Sequence, residues 1–174
     1  MRVHHLFIAA IAAFVAPAEV TAGTPGTAYC FGVGCPCDND DPTAGCQHSL
    51  GYGALLTPTG TTSIAANDLS LVGTNMPKKK VTLTIFGTQQ IANPFYDGLL
   101  CVGGQVSRLP THLNSGDPGT VQFDNVVGLL SNGPVPLDGL TLNFQLWFRD
   151  APANQTPCGL KANTSNAYQL TFTP

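Results

Sequence analysis

Charged side chains make up only 10% of this 174-residue chain, against roughly a quarter in ordinary globular proteins. Seven Lys and Arg stand against ten Asp and Glu, for a net charge of −3. That balance leaves no electrostatic footprint for nucleic acid. Glu19 is the one glutamate, and His48 and His112 are the only histidines beyond the first five residues. No H-E-x-x-H, G-x-S-x-G or P-loop sequence occurs. An unrecognised hydrolase built from either histidine with distant serines and aspartates, or from two scattered aspartates, therefore has no local motif behind it. Apolar runs are short as well. The longest, residues 6–15, follows Arg2, His4 and His5 and precedes two A-x-A-type exits, Ala16-Pro17-Ala18 and Val20-Thr21-Ala22. This is the layout of a secretory signal peptide over residues 1–22, too short to span a bilayer. Residues 23–174 are expected to form one secreted domain with no membrane span.

Thr, Asn, Gly and Pro fill the space that charge leaves, a mix that favours strands and turns over helices. In residues 140–148, Leu140, Leu142, Phe144, Leu146 and Phe148 recur at every second position, so one face of a long strand is apolar. Asp150-Ala151-Pro152 ends it. Further strands are expected at 49–56, 68–72, 81–86, 99–102, 105–109, 120–126 and 167–173. Gly103-Gly104 reads as a hairpin turn between two of them. Residues 126–130 have the character of a single helical turn. Lys78-Lys79-Lys80, ahead of the apolar strand 81–86, reads as a charged guard against edge pairing. The expected class is all-β: a single antiparallel β-sandwich of jelly-roll or immunoglobulin-like kind, with a small barrel as the alternative.

Six cysteines behind an export signal argue for disulfides rather than thiol chemistry. Cys30, Cys35, Cys37 and Cys46 crowd together in a Cys-rich acidic loop over residues 30–46, and Cys101 and Cys158 lie far off. Cys35-Pro36-Cys37 is too tight to close on itself. The expected pairing is two bridges inside the cluster and one between Cys101 and Cys158, with a zinc site as the minor alternative. Asp38, Asn39, Asp40 and Asp41 offer hard oxygen donors for calcium, the one cofactor the chain suggests. Thr43 occupies the place of a calcium loop's sharp-turn glycine, however, and no distal glutamate follows. As plain turn residues they belong at the surface.

Alternation in 140–148 also puts Gln145, Trp147 and Arg149 together on the polar face. A tryptophan flanked by amide and guanidinium groups is a candidate ligand surface, or else a covered cation–π pair. Arg149-Asp150 reads as a local ion pair, and the sequons at Asn154 and Asn163 suggest exposed loops.

Several of these segments resemble a known family. Leu99-Leu100-Cys101-Val102-Gly103-Gly104, Arg108, the run from Phe144-Gln145 through Trp147 to Arg149-Asp150, and Ser165-Asn166-Ala167 with Leu170-Thr171-Phe172 carry the likeness. It is to uncharacterised secreted bacterial modules, abundant in planctomycete-like bacteria, with an LCVGG … FQxWYRD … SNxxxLTF pattern. The similarity runs from Gly98 to the C-terminus and more loosely at Tyr29-Cys30, and Phe148 stands where the pattern has tyrosine. The resemblance implies an exported β-module without catalytic residues. It says nothing of residues 35–45, which look inserted. The expected function is a non-catalytic structural or adhesion module of the cell surface or extracellular space, with another exported protein as partner. A carbohydrate-binding module for polysaccharide, calcium-assisted at the acidic loop, is the second reading.

Overall fold

A computed structural model describes residues 23–131 and 136–174; the expected signal peptide, residues 1–22, lies outside them. Among the described residues ten strands follow one another: β1 (Thr27–Tyr29), β2 (Leu55–Thr59), β3 (Ser70–Thr74), β4 (Val81–Gly87), β5 (Gln89–Phe95), β6 (Gly98–Gly103), β7 (Ser107–Asn114), β8 (Val121–Phe123), β9 (Thr141–Arg149) and β10 (Ala162–Thr171). Among the described residues a short α-helix, α1 (Val126–Ser131), interrupts them after β8, and a single 3-10 turn, Ala153–Gln155, lies between β9 and β10. The fold is all-β, and its ladders are antiparallel. They form a five-stranded sheet, β1-β10-β9-β4-β7, a three-stranded sheet, β2-β3-β8, and the hairpin β5-β6. None closes into a barrel.

The apolar face read from the sequence is the face that builds the core. Leu142, Phe144, Leu146 and Phe148 of β9, with Leu170 and Phe172, pack against Leu56, Leu71, Val121 and Phe123 from the three-stranded sheet. This is sandwich packing, with inward side chains of two sheets interdigitating. Phe144 is fully buried, and its truncation to alanine is expected to cost about 3–5 kcal/mol.

The opposite face of the large sheet is not open, as simple alternation implies. Leu99 and Cys101 of β6 lie over it with Cys35, Cys46 and Ala167 in a second, smaller core. Middle positions of β9 are therefore buried on both sides. The expected hairpin at Gly103-Gly104 does not form. β6 pairs backward with β5, a strand not foreseen, while β7 crosses over to pair with β4. The turn that joins β5 to β6 is the two-residue Tyr96-Asp97, with no Asn-Gly or Gly-Gly to announce it. Pro58 and Pro94 sit in outer strands of their sheets, β2 and β5, where a missing donor is tolerated. β4 has neighbours on both sides, so the three lysines guard no edge. They form the turn before it, where Lys79 adopts φ 57° and pairs with Asp117 at 2.9 Å.

The disulfides are Cys30–Cys101, Cys35–Cys46 and Cys37–Cys158, so no pair of thiols is left for zinc. Only one of the two bridges expected inside the cluster forms, and Cys101 does not meet Cys158. The reason is the placement of β6. It runs beside the end of β1, where the Tyr29 hydroxyl donates to the Cys101 carbonyl at 2.8 Å, which brings Cys30 within reach. Cys158 is held instead at the β5-β6 turn, its N–H donating to Asp97 Oδ1 at 3.0 Å. The long bridges span separations of 71 and 121 residues, and each is worth about 4–5 kcal/mol in the chain-entropy account. Between the bridges the Cys-rich loop lies flat on β10. A Cβ at Gly45 would stand 2.3 Å from the Thr164 carbonyl oxygen, so no other residue fits there.

Candidate functional site

Of the three side chains expected on a common polar face, the structure separates one from the others. Gln145 is fully buried under β6. Its Oε1 accepts from the Cys101 N–H at 3.0 Å, and its Nε2 donates to the carbonyls of Leu99 (2.9 Å) and Ser165 (2.7 Å). It acts as a strut between the large sheet and the β5-β6 layer and is closed to any ligand. Ser165 and Asn166 do similar work at the bulge in β10. The Ser165 hydroxyl accepts from the Leu146 N–H at 3.0 Å. The Asn166 amide pairs with both the N–H and the C=O of Leu56, at 2.7 and 3.2 Å, tying β10 to β2. These buried polar groups are satisfied by backbone, as burial requires.

Trp147 and Arg149 lie beyond the cover of β6, and there the outer face reaches solvent. Trp147 is half-buried and Arg149 is exposed. The guanidinium carbon sits 5.4 Å from the indole centroid, a cation–π contact. Tyr96, which sequence alone does not single out, completes the group with its ring 6.1 Å from Trp147 in edge geometry. Phe95 stacks on it edge-on at 4.7 Å. Register carries Leu83 and His112 onto the same rung as Trp147, so the patch continues across β4 to β7.

Tyr96 is held at φ 53°. Asn and Asp visit that region readily, but a bulky aromatic is a genuine outlier. The conformation keeps its ring 41% exposed beside Trp147. The sign available in the sequence was Phe95-Tyr96-Asp97-Gly98, two aromatics ahead of an Asp-Gly pair between two apolar runs.

The acidic loop is organised by hydrogen bonds to nearby backbone. Asn39 is buried, and its amide donates to the carbonyls of Gln47 and Asp97, both at 2.7 Å. Asp40 accepts from the N–H groups of Gly34 (3.1 Å) and Cys35 (2.8 Å). Asp41 accepts from the Thr43 hydroxyl and from the N–H of Gly53. Slight burial raises the Asp41 carboxyl, but these bonds together hold it below the usual carboxylate range. Asp38 remains exposed. Surface placement thus holds for Asp38, Asp40 and partly Asp41, and not for Asn39. Among the described residues no three His, Cys, Asp or Glu side chains converge to hold a metal ion.

His48 is buried between the rings of Tyr52 and Phe148. Its Nδ1 accepts from the Leu50 N–H at 3.3 Å, which leaves the proton on Nε2 to bond the Asn75 carbonyl at 2.8 Å. Burial lowers its pKa, against the opposing pull of that carbonyl and of the Asp150 and Asp41 charges. The neighbouring Ser49 hydroxyl donates to Asp150, not to the imidazole. Both ring nitrogens are engaged by backbone, so the arrangement does not deprotonate a serine. Asp150 also accepts from the N–H of Ser49 and of Ala151, at 2.9 and 2.7 Å. It is a loop anchor and makes no ion pair with Arg149. The sequon asparagines part company too: Asn154 is exposed, whereas Asn163 is buried against Cys46 and Gln47. No protein-family model, curated protein or solved structure matches this chain.

Proposed function

We propose that this protein is a secreted, non-catalytic interaction module that binds another exported protein through the outer face around Trp147. The observation that carries the reading is the Tyr96–Trp147–Arg149 group: two aromatics and a guanidinium, open to solvent, on a rigid sheet. Trp, Tyr and Arg are the side chains in which binding energy at protein interfaces concentrates. Tyr96 holds the positive φ of a hairpin turn that glycine or asparagine would adopt more easily, and a bulky aromatic kept there fits a functional demand. Three disulfides suit an oxidising compartment, and the apolar start of the chain and its likeness to secreted bacterial modules support export. The engaged state of His48 supports a non-catalytic role.

Polysaccharide is the second reading, favoured by the edge-on pair of half-buried Phe95 and exposed Tyr96. It is weakened at Trp147, where Arg149 already occupies a ring face that a sugar would need. Calcium at the acidic loop belongs to this reading alone. Leader-free, oxidised protein passed over insoluble polysaccharides, with calcium and with chelator, separates the two. No retention is expected under either condition. Retention abolished by chelator would move the site to Asp38, Asp40 and Asp41.

A further inference from the structure

A second opening lies at the margin of the core, where α1 meets the edge of the large sheet. It is a cleft of about 590 Å³, within the range of small-molecule sites. Leu129, Leu130, Leu137, Leu140, Leu142 and Phe86 form its apolar lining. Gln105, Ser107 and Arg108 border it from the approach to β7 and from β7 itself. Register pairs Arg108 with Ile85 and Ser107 with Phe86. Arg108 stands on the opposite sheet face from Leu109 and borders the cleft from the edge strand β7. Among the described residues it is the one charged residue of the lining, and it has no acidic partner.

We infer that this cleft binds a single-chain amphiphile with a carboxylate head, its alkyl tail among the leucines and its head at Arg108. The apolar walls select against sugars and free ions, which would leave polar groups unsatisfied there. One cation at the border selects a singly anionic head, since a guanidinium matches a carboxylate in a forked pair. Beyond the aromatic face and its protein partner, this is a separate site, and its fate does not depend on theirs.

Titration of the oxidised, leader-free protein with hexadecanoate and with hexadecanol, below their aggregation limits, tests the assignment. Hexadecanoate is expected to bind at one site per chain. Arg108→Gln, an exposed change, should weaken it about tenfold while leaving hexadecanol unchanged. Leu140→Trp, which fills the cleft from a half-buried position, should abolish both. Failure of hexadecanoate to bind would overturn the proposal, as would binding that neither variant alters. Association with anionic vesicles but not with the monomeric probe would assign the cleft to a bilayer surface and equally overturn it. Should Leu140→Trp fail to fold, the selective effect of Arg108→Gln still decides.

Discussion

At the scale of single residues, the polar side chains divide into those that hold layers together and those that face outward. Gln145 belongs to the first kind. Gln145→Ala would strand the Cys101 N–H and the Ser165 carbonyl in a dry layer and leave the Leu99 carbonyl to the Thr164 hydroxyl alone. A loss of about 2–4 kcal/mol in urea unfolding is expected, with no change specific to binding. Tyr96 belongs to the second. Tyr96→Gly should leave stability level or raise it by up to about 1 kcal/mol, because glycine accepts a positive φ without strain. The same change should weaken partner binding, and a variant that unfolds easily would contradict the assignment. His48 sets a pH dependence. Its folded-state pKa lies below the ordinary 6.5, so between the two values the unfolded chain carries the extra proton. Stability should therefore fall as pH drops below about 6.5, compared in urea at about pH 7.5 and 5, and His48→Gln should flatten that slope.

Elements were readable from sequence to the extent that their signals are local. β9 is plain because five apolar residues at period two leave no other periodicity open, and its core face is the one observed. The short helix falls where residues 126–130 lose alternation. β5 goes unseen because Gln89, Gln90, Asn93 and Pro94 carry no strand signature of their own. It exists because β6 gives it a partner. The same non-local fact hides Gln145. Polar alternation looks like a solvent face, and only a second layer, laid down by a crossover after Gly87, turns it inward. Of the candidate site, Trp147 and Arg149 are visible in the alternation, whereas Tyr96 arrives from a turn whose Asp97-Gly98 pair follows β5, a strand with no signature of its own.

For the whole molecule, the disulfides decide how the layers are held. Cys30–Cys101 fixes β1 to the outer layer, and Cys37–Cys158 fixes the Cys-rich loop to the connection between β9 and β10. Spacing along the chain cannot reveal either, since each partner is chosen by where β6 and its turn come to rest. Replacing Cys37 and Cys158 together by serine should cost about 2–5 kcal/mol, read as a lower urea midpoint. Non-reducing peptide mapping should return the three bridges observed, and a Cys101–Cys158 peptide would break the layered account.

Trp147, at which partners are proposed to meet the outer face, is the sole tryptophan of the chain. Its intrinsic emission therefore reports on that face alone. Fluorescence of the oxidised protein, recorded against fractionated exported proteins that lack tryptophan signal by subtraction, is the most direct test. A fraction retained by the wild type should shift the emission to the blue and shield it from acrylamide, with both effects reduced in Arg149→Gln. Retention with unchanged emission and unchanged quenching would place the interaction elsewhere and contradict the account.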